Sequence, residues 1–266
     1  MRLIYNQNTK SKPSFHKYRV MIASESFNKK TTMKILIKSS AILFIVVTSY
    51  MAKAQETKSF TVKNFNSIGV SSGIDLYLTQ GGSESVSIKS DSETLKDIVV
   101  EQSGSNVTIK FKDGINWSGM FKNRSIKAYV SFKTLNAIAA SGGSDVFTQN
   151  QIKTDKLAIR SSGGSDLKLT VVCNDLSIQS SGGSDLDLKG KAENMTIQSS
   201  GGSDIDAYEL ITDYAKVQAS GGSDVSIYVN KGLEASASGG GDVSYKGNAS
   251  LKKTSSSKSG DVHHVN

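Results

Sequence analysis

Proline, cysteine and tryptophan occur once each in this chain of 266 residues. The only proline is Pro13, so nothing beyond it removes a backbone donor from a strand ladder. Long, uninterrupted runs of paired strand are therefore permitted. The only cysteine, Cys173, rules out an internal disulfide, and its setting in Val171-Val172-Cys173 reads as a small buried hydrophobe. Stability has to come from packing and backbone hydrogen bonds. Histidine is also scarce: after residue 54 only His263 and His264 remain, side by side near the C-terminus. They are expected in a disordered tail and make a poor metal-ligand set by themselves. No Ser-His-Asp or Cys-His arrangement is expected inside the folded part, and no catalytic residue or cofactor is assigned.

Long apolar runs are missing as well. The longest, residues 41–47, is too short to span a bilayer, which takes about 20 residues. It lies between Lys34 and Lys38 on one side and Ala52-Lys53-Ala54 on the other, the layout of a cleavable signal peptide over residues 33–54. No cysteine near the cleavage point suggests a lipid anchor. Residues 1–32 have no role ahead of such a segment and are expected to be a non-native extension, with Met33 as the true start.

The formal charge of +8 would suit a polyanion, but its distribution argues otherwise. Residues 1–32 carry +6, residues 33–54 carry +3, and residues 55–266 carry −1. The part that folds is nearly neutral, so no nucleic-acid partner is expected.

What is abundant is glycine, and it is periodic. Gly-Gly-Ser-Asp, always preceded by Ser, occurs five times, ending at Asp145, Asp166, Asp185, Asp204 and Asp224. A degenerate sixth copy ends at Asp242, and Ser259-Gly260-Asp261 is a fragment of a seventh. The aspartates step by 21, 19, 19, 20, 18 and 19 residues. A fixed period of this size means stacked units, each too small to bury its own core.

Residues alternate around each motif. Before it come Leu157/Ile159, Leu176/Ile178, Met195/Ile197, Ala215/Val217 and Leu233/Ala235, followed by an outward Arg160, Gln179, Gln198, Gln218 or Ser236. After each Asp come Leu167/Leu169, Leu186/Leu188, Ile205/Ala207, Val225/Ile227 and Val243/Tyr245. Alternation with period two means strands with one buried face. Each repeat reads as two short strands, joined by the Ser-Gly-Gly-Ser-Asp corner and by a more variable turn such as residues 190–194. The fold class is all-β: a single-stranded parallel β-helix with coils of about 20 residues.

Stacking would bring the outward Ser, Gln and Asp residues into columns with a spacing of ~4.8 Å. Neighbouring carboxylates at that distance repel by ~0.9 kcal/mol even in bulk water. Either each Asp caps its own turn through backbone N–H groups, or the column of Asp145, Asp166, Asp185, Asp204, Asp224 and Asp242 holds calcium or a carbohydrate. The motif matches a calcium nonapeptide poorly, since the third glycine is missing and the Asp comes two positions early. The pairs Asp185/Asp187 and Asp204/Asp206 imitate a glycosidase pair, but their repetition suits a surface pattern better than a polysaccharide hydrolase.

Upstream, residues 68–78 look like a divergent first copy, with Asp75 placed 70 residues before Asp145. The stretch between them should form an irregular β-rich cap, with strands around Val86-Ser87-Ile88 and Val107 to Phe111. Asp91-Ser92-Glu93-Thr94-Leu95 should open one short helix. The loop around Trp117, Met120 and Phe121 gathers exposed-type aromatics. It is expected either to pack over the open end or to contact a partner or second protomer.

With this ladder, the Phe65-Asn66-Ser67-Ile68 opening and the 241–247 ending, the chain resembles the auto-transporter adhesin "head GIN" domain family, DUF2807, over about residues 60–248. Residues 249–266 are read as a last partial coil and tail. That family is common in Bacteroidetes-type bacteria. The resemblance implies a β-helix and an exported, adhesive role in the periplasm, at the outer surface or in the medium, with a cell-surface protein or glycan as partner. It supplies no catalytic or binding residues.

Overall fold

The computed structural model describes residues 55–114, 125–253 and 259–266. Residues 1–54, where the signal peptide and extension are expected, and the loop with Trp117, Met120 and Phe121 lie outside the described residues. The first strands are β1 (Glu56–Phe60), β2 (Ser67–Val70), β3 (Asp75–Gln80) and β4 (Ser85–Ser90). A short helix α1 (Ser92–Asp97) follows, then β5 (Ile98–Ser103), β6 (Asn106–Phe111) and β7 (Lys127–Phe132). The repeat array begins with β8 (Ala137–Ala140), β9 (Val146–Thr148), β10 (Ile152–Lys153) and β11 (Lys156–Ser162). Four long strands come next: β12 (Asp166–Ser181), β13 (Asp185–Ser199), β14 (Asp204–Ala219) and β15 (Asp224–Ala237). The stack ends with β16 (Asp242–Lys246), β17 (Ser250–Lys253) and β18 (Asp261–His264).

The long strands pair in parallel and in register, Asp166 on Asp185, Asp204, Asp224, Asp242 and finally Asp261. This is the expected β-helix. The expected pair of strands per repeat is a single strand, because the ladder continues around the variable corner. In β13 the buried positions run 186, 188, 192, 195, 197 and 199, so the alternation is interrupted at the half-buried Gly190 and slips out of phase at residues 193–194. The chain bends there without releasing its neighbours.

Inside, like side chains stack on like. Ile138, Ile159, Ile178, Ile197, Val217 and Ala235 form one column, and Val146, Leu167, Leu186, Ile205, Val225, Val243 and Val262 another. Each such Val, Leu or Ile contributes ~1.5–3 kcal/mol by leaving water, and together they stand in for the missing disulfides.

The divergent first copy falls in place. Strand β2 pairs with β8 and β3 with β9, both in parallel, and the Gly73 N–H donates to the Gly142 carbonyl. The 70-residue interval builds a further coil beneath it, since β6 pairs with β2 and β7 with β3. Antiparallel β5 on β6, and β4 on β7 with β1 beyond, close this end. Asp91 caps α1 by accepting from the Thr94 N–H at 3.0 Å.

One coil of the array is a residue longer between its first positions. Asp187 faces Asp206 but Lys189 faces Glu209, so β14 carries a bulge. The Asp206 carboxylate accepts from the Tyr208 N–H at 3.1 Å and holds it.

The glycine corner has a strict geometry. Gly201 has φ of 81°, and a Cβ there would lie 2.8 Å from the Gly182 carbonyl oxygen of the coil below. Gly202 lies outside the left-handed region, and a Cβ there would find its nearest atom at 3.9 Å. Gly201→Ala is expected to cost about 2 kcal/mol or more, while Gly202→Ala stays within about 0.5 kcal/mol. Chemical denaturation of the two variants checks this; equal losses would refute it.

Candidate functional site

Each corner sets an Asp outside and a Ser inside. Ser144, Ser165, Ser184, Ser203 and Ser223 are completely buried. The hydroxyls of Ser165, Ser184, Ser203 and Ser223 each donate to the carbonyl three residues back, all at 3.0 Å. The corner is therefore capped by the Ser of Gly-Gly-Ser-Asp. The expectation that each Asp caps its own turn is corrected: the Asp N–H groups pair with the coil below, as from Asp204 to the Ser184 carbonyl at 3.1 Å. The Asp242 carboxylate reaches to the next coil, accepting from the Asp261 N–H at 3.0 Å, and among the motif aspartates only Asp261, in the last coil, accepts locally, from the Val262 N–H at 2.8 Å.

The carboxylate column thus runs over the outside, Asp75 beneath Asp145 and then up to Asp261, with Lys127 at its foot in register with Asp75. At the foot it is partly covered. Burial, and then the Asp145 charge, hold Asp75 above the usual carboxylate range against the pull of Lys127. Burial and the Asp166 charge do the same to Asp145, opposed by the Asp166 backbone N–H and by Lys168. Among the described residues no group of three or more His, Cys, Asp or Glu is arranged to hold a metal ion.

A second ladder crosses the strand before each corner. Arg160 Nε donates to Gln179 at 3.0 Å, Gln179 to Gln198 at 3.2 Å, and Gln198 to Gln218 at 3.4 Å. The amides point the same way, so Gln179 and Gln198 each both accept and donate, and Gln218 accepts at the end of the chain. Exposed charge pairs sit beside them, such as Lys216 with Glu234 at 3.0 Å and Lys231 with Asp213 at 2.9 Å. Such exposed pairs stabilise by little.

The C-terminal histidines do not form a loose tail. Strand β18 lies in register on β16, and His264 packs edge-on against Tyr245 with ring centroids 5.0 Å apart. This register sets Ser244 Oγ 3.0 Å from His263 Nε2, and His263 Nδ1 3.7 Å from the Asp261 carboxylate. A Ser-His-Asp line therefore exists where none was expected, invisible in sequence because Ser244 and His263 meet only through the ladder. His263 is exposed, and the cavities beside Tyr77 and Phe147, beside Arg160 and Gln179, and beside Tyr214 and Lys216 do not include Ser244. Of the other catalytic imitations, the pair Asp204/Asp206 is weakened by the Tyr208 N–H bond that occupies Asp206. Cys173 is buried, and that burial, with Asp175 and Asp155 nearby, pushes its thiol up to about 11. It is an inert core group.

Two outcomes follow. Ser180 Oγ is buried with no hydrogen-bond partner, whereas Ser184 Oγ bonds the Ser181 carbonyl. Ser180→Ala should be neutral or stabilise by up to about 1 kcal/mol, and Ser184→Ala should cost about 1 kcal/mol. Calorimetric melting distinguishes them, and a loss at Ser180 would count against this packing. Because Asp75 and Asp145 have raised folded values, they bind protons more tightly in the folded state. Their stabilising contribution is complete below the unfolded value, near pH 3.9, and is lost as pH rises through the folded value. Asp75→Asn and Asp145→Asn should therefore raise the Tm at about pH 7 and not at about pH 3. A gain of equal size at both pH values would exclude the linkage.

Solved structures with the same fold exist. A "putative adhesin" from Bacteroides fragilis superposes with a TM-score of 0.73 at 25% identity, covering 80% of this chain and 98% of its own. A "putative lipid binding protein" from Parabacteroides distasonis gives 0.64 at 17% identity, covering 81% and 98%, and so shares the fold alone. A "putative adhesin" from Parabacteroides merdae gives 0.59 at 19%, again 81% and 98%. No functionally curated protein is significantly similar to the chain. The model of the DUF2807 family, described as "Putative auto-transporter adhesin, head GIN domain", matches residues 64–249. The chain belongs to that family.

Proposed function

We propose that the protein is an exported, non-enzymatic β-solenoid that attaches to a cell-surface protein or glycan through its repeated outer columns. One observation carries this reading: the outward Gln and Asp residues recur in register over successive coils while the core behind them stays closed. Identical groups at a fixed spacing on a stiff rod suit multivalent contact, where each later contact is intramolecular and gains from the first. The adhesin description of the family agrees with that use. The carboxylate column Asp145, Asp166, Asp185, Asp204, Asp224 and Asp242 and the loop with Trp117, Met120 and Phe121 are the surfaces proposed to take part. A second protomer is a further partner for that loop.

Export is supported by the basic start, apolar run and Ala52-Lys53-Ala54 pattern of residues 33–54. Among the described residues no helix is long and apolar enough to cross a membrane.

Labelled protein should attach saturably to cells or to immobilised matrix proteins and glycans. Reversing the charge of Asp166, Asp185 and Asp204 together should weaken attachment several-fold without lowering the Tm by more than a few degrees. Absence of saturable attachment to any of these surfaces would defeat the reading. Fractionation of the native bacterium should place the protein outside the cytoplasm, beginning at Gln55; a cytoplasmic form beginning at Met1 would overturn export.

A further inference from the structure

An aromatic stack on the outer surface ends against a groove that none of the interactions above uses. Tyr129, Tyr77 and Phe147 share one register column in β7, β3 and β9. Their ring centroids are 5.1 and 5.2 Å apart, with planes inclined by 20° and 22°. No ring continues the column: the next coils place Lys168 and then Asp187 there. A cavity of about 400 Å³ opens at this point, lined by Tyr77, Phe147, Thr148, Lys168, Asp187 and Lys189 among others.

Its polar groups are unevenly engaged. Lys189 is held by Glu209 at 2.8 Å, and Thr148 Oγ1 accepts from the Thr170 N–H at 2.9 Å. Among the described residues the Lys168 ammonium and the Asp187 carboxylate form no hydrogen bond or ion pair, with each other or elsewhere. A donor and an acceptor thus stand available beside aromatic rings that stacking holds in place.

We propose that this groove binds a pyranose unit of a neutral glycan. The C–H face of a pyranose carries partial positive charge and suits the negative face of an aromatic ring. Its hydroxyls both donate and accept, matching Asp187 as acceptor and Lys168 as donor. The groove gives neither sign of ionic ligand an advantage, because its two cations, Lys168 and Lys189, are matched in number by the carboxylates of Asp187 and Glu209. The fixed rings lower the ordering cost of binding. The site lies beside the carboxylate column, one strand position pair further along. It gives the attachment proposed above a ligand class and a location.

The test uses an array of neutral hexose and N-acetylhexosamine oligosaccharides, followed by titration calorimetry with the oligosaccharide that binds best. Binding is expected to at least one neutral oligosaccharide. Asp187→Asn and Lys168→Ala should each weaken it about tenfold at unchanged Tm. Both residues are outward-facing, so these variants keep the test valid even if Phe147→Ala, which should abolish binding, also destabilises the fold. Tyr214→Ala, at an exposed aromatic away from the groove, should leave affinity unchanged. No binding to any neutral oligosaccharide, or affinity indifferent to both Asp187→Asn and Lys168→Ala, overturns the proposal. Cell attachment that persists in variants that no longer bind the oligosaccharide would leave the groove standing and assign attachment to another surface. Oligosaccharide binding lost in both variants, in a protein that attaches to no cell, would establish the groove and sink attachment.

Discussion

The parallel ladder of backbone hydrogen bonds between coils is what every other feature depends on. It forces each residue to lie on its counterpart one coil away, so a side chain suited to one layer has to be suited to all. The chain must also turn without losing a bond. At the glycine corner a left-handed residue makes the bend, and the coil below leaves no room there for a Cβ, as at Gly201 over Gly182. The buried Ser then binds the turn internally. With a single cysteine and nothing to cross-link, this repeating fit supplies the cohesion.

The same ladder writes the outer surface. Columns of Gln become one-way chains of amide hydrogen bonds, and columns of Asp become a line of charge that is tolerable because most of it faces water. At the foot, where Asp75 and Asp145 are partly covered, burial and then the next carboxylate's charge hold both groups above the usual carboxylate range. Columns need not be uniform. The one that begins as Tyr129, Tyr77 and Phe147 continues as Lys168, Asp187 and Asp206, and a groove opens where its chemistry changes.

Much of this was legible in the residues. The period, the inward and outward positions, the first copy at Asp75 and the helix opened by Asp91 are local patterns, and each took the expected form. The capping role belongs to the Ser of the motif and not to the Asp. Ser and Asp are both good turn residues, and only the coil below decides which of them is turned inward. His263 and His264 carry no strand alternation of their own; the signal for the last strand is in Asp261 and Val262 beside them, which match Asp242 and Val243.

The sequence by itself determined the coil, because side-chain period and glycine spacing are properties of neighbours along the chain. Tertiary structure alone decided which residues meet across coils: Ser244 with His263, Asp75 with Asp145, Phe147 with Lys168. Those pairs lie 19 to 70 residues apart. Their contact depends on the register of a ladder, on an inserted coil that folds beneath an earlier one, and on bulges that shift it by a residue. A repeat fixes the step between coils, and the exceptions to the repeat decide what the surface can hold.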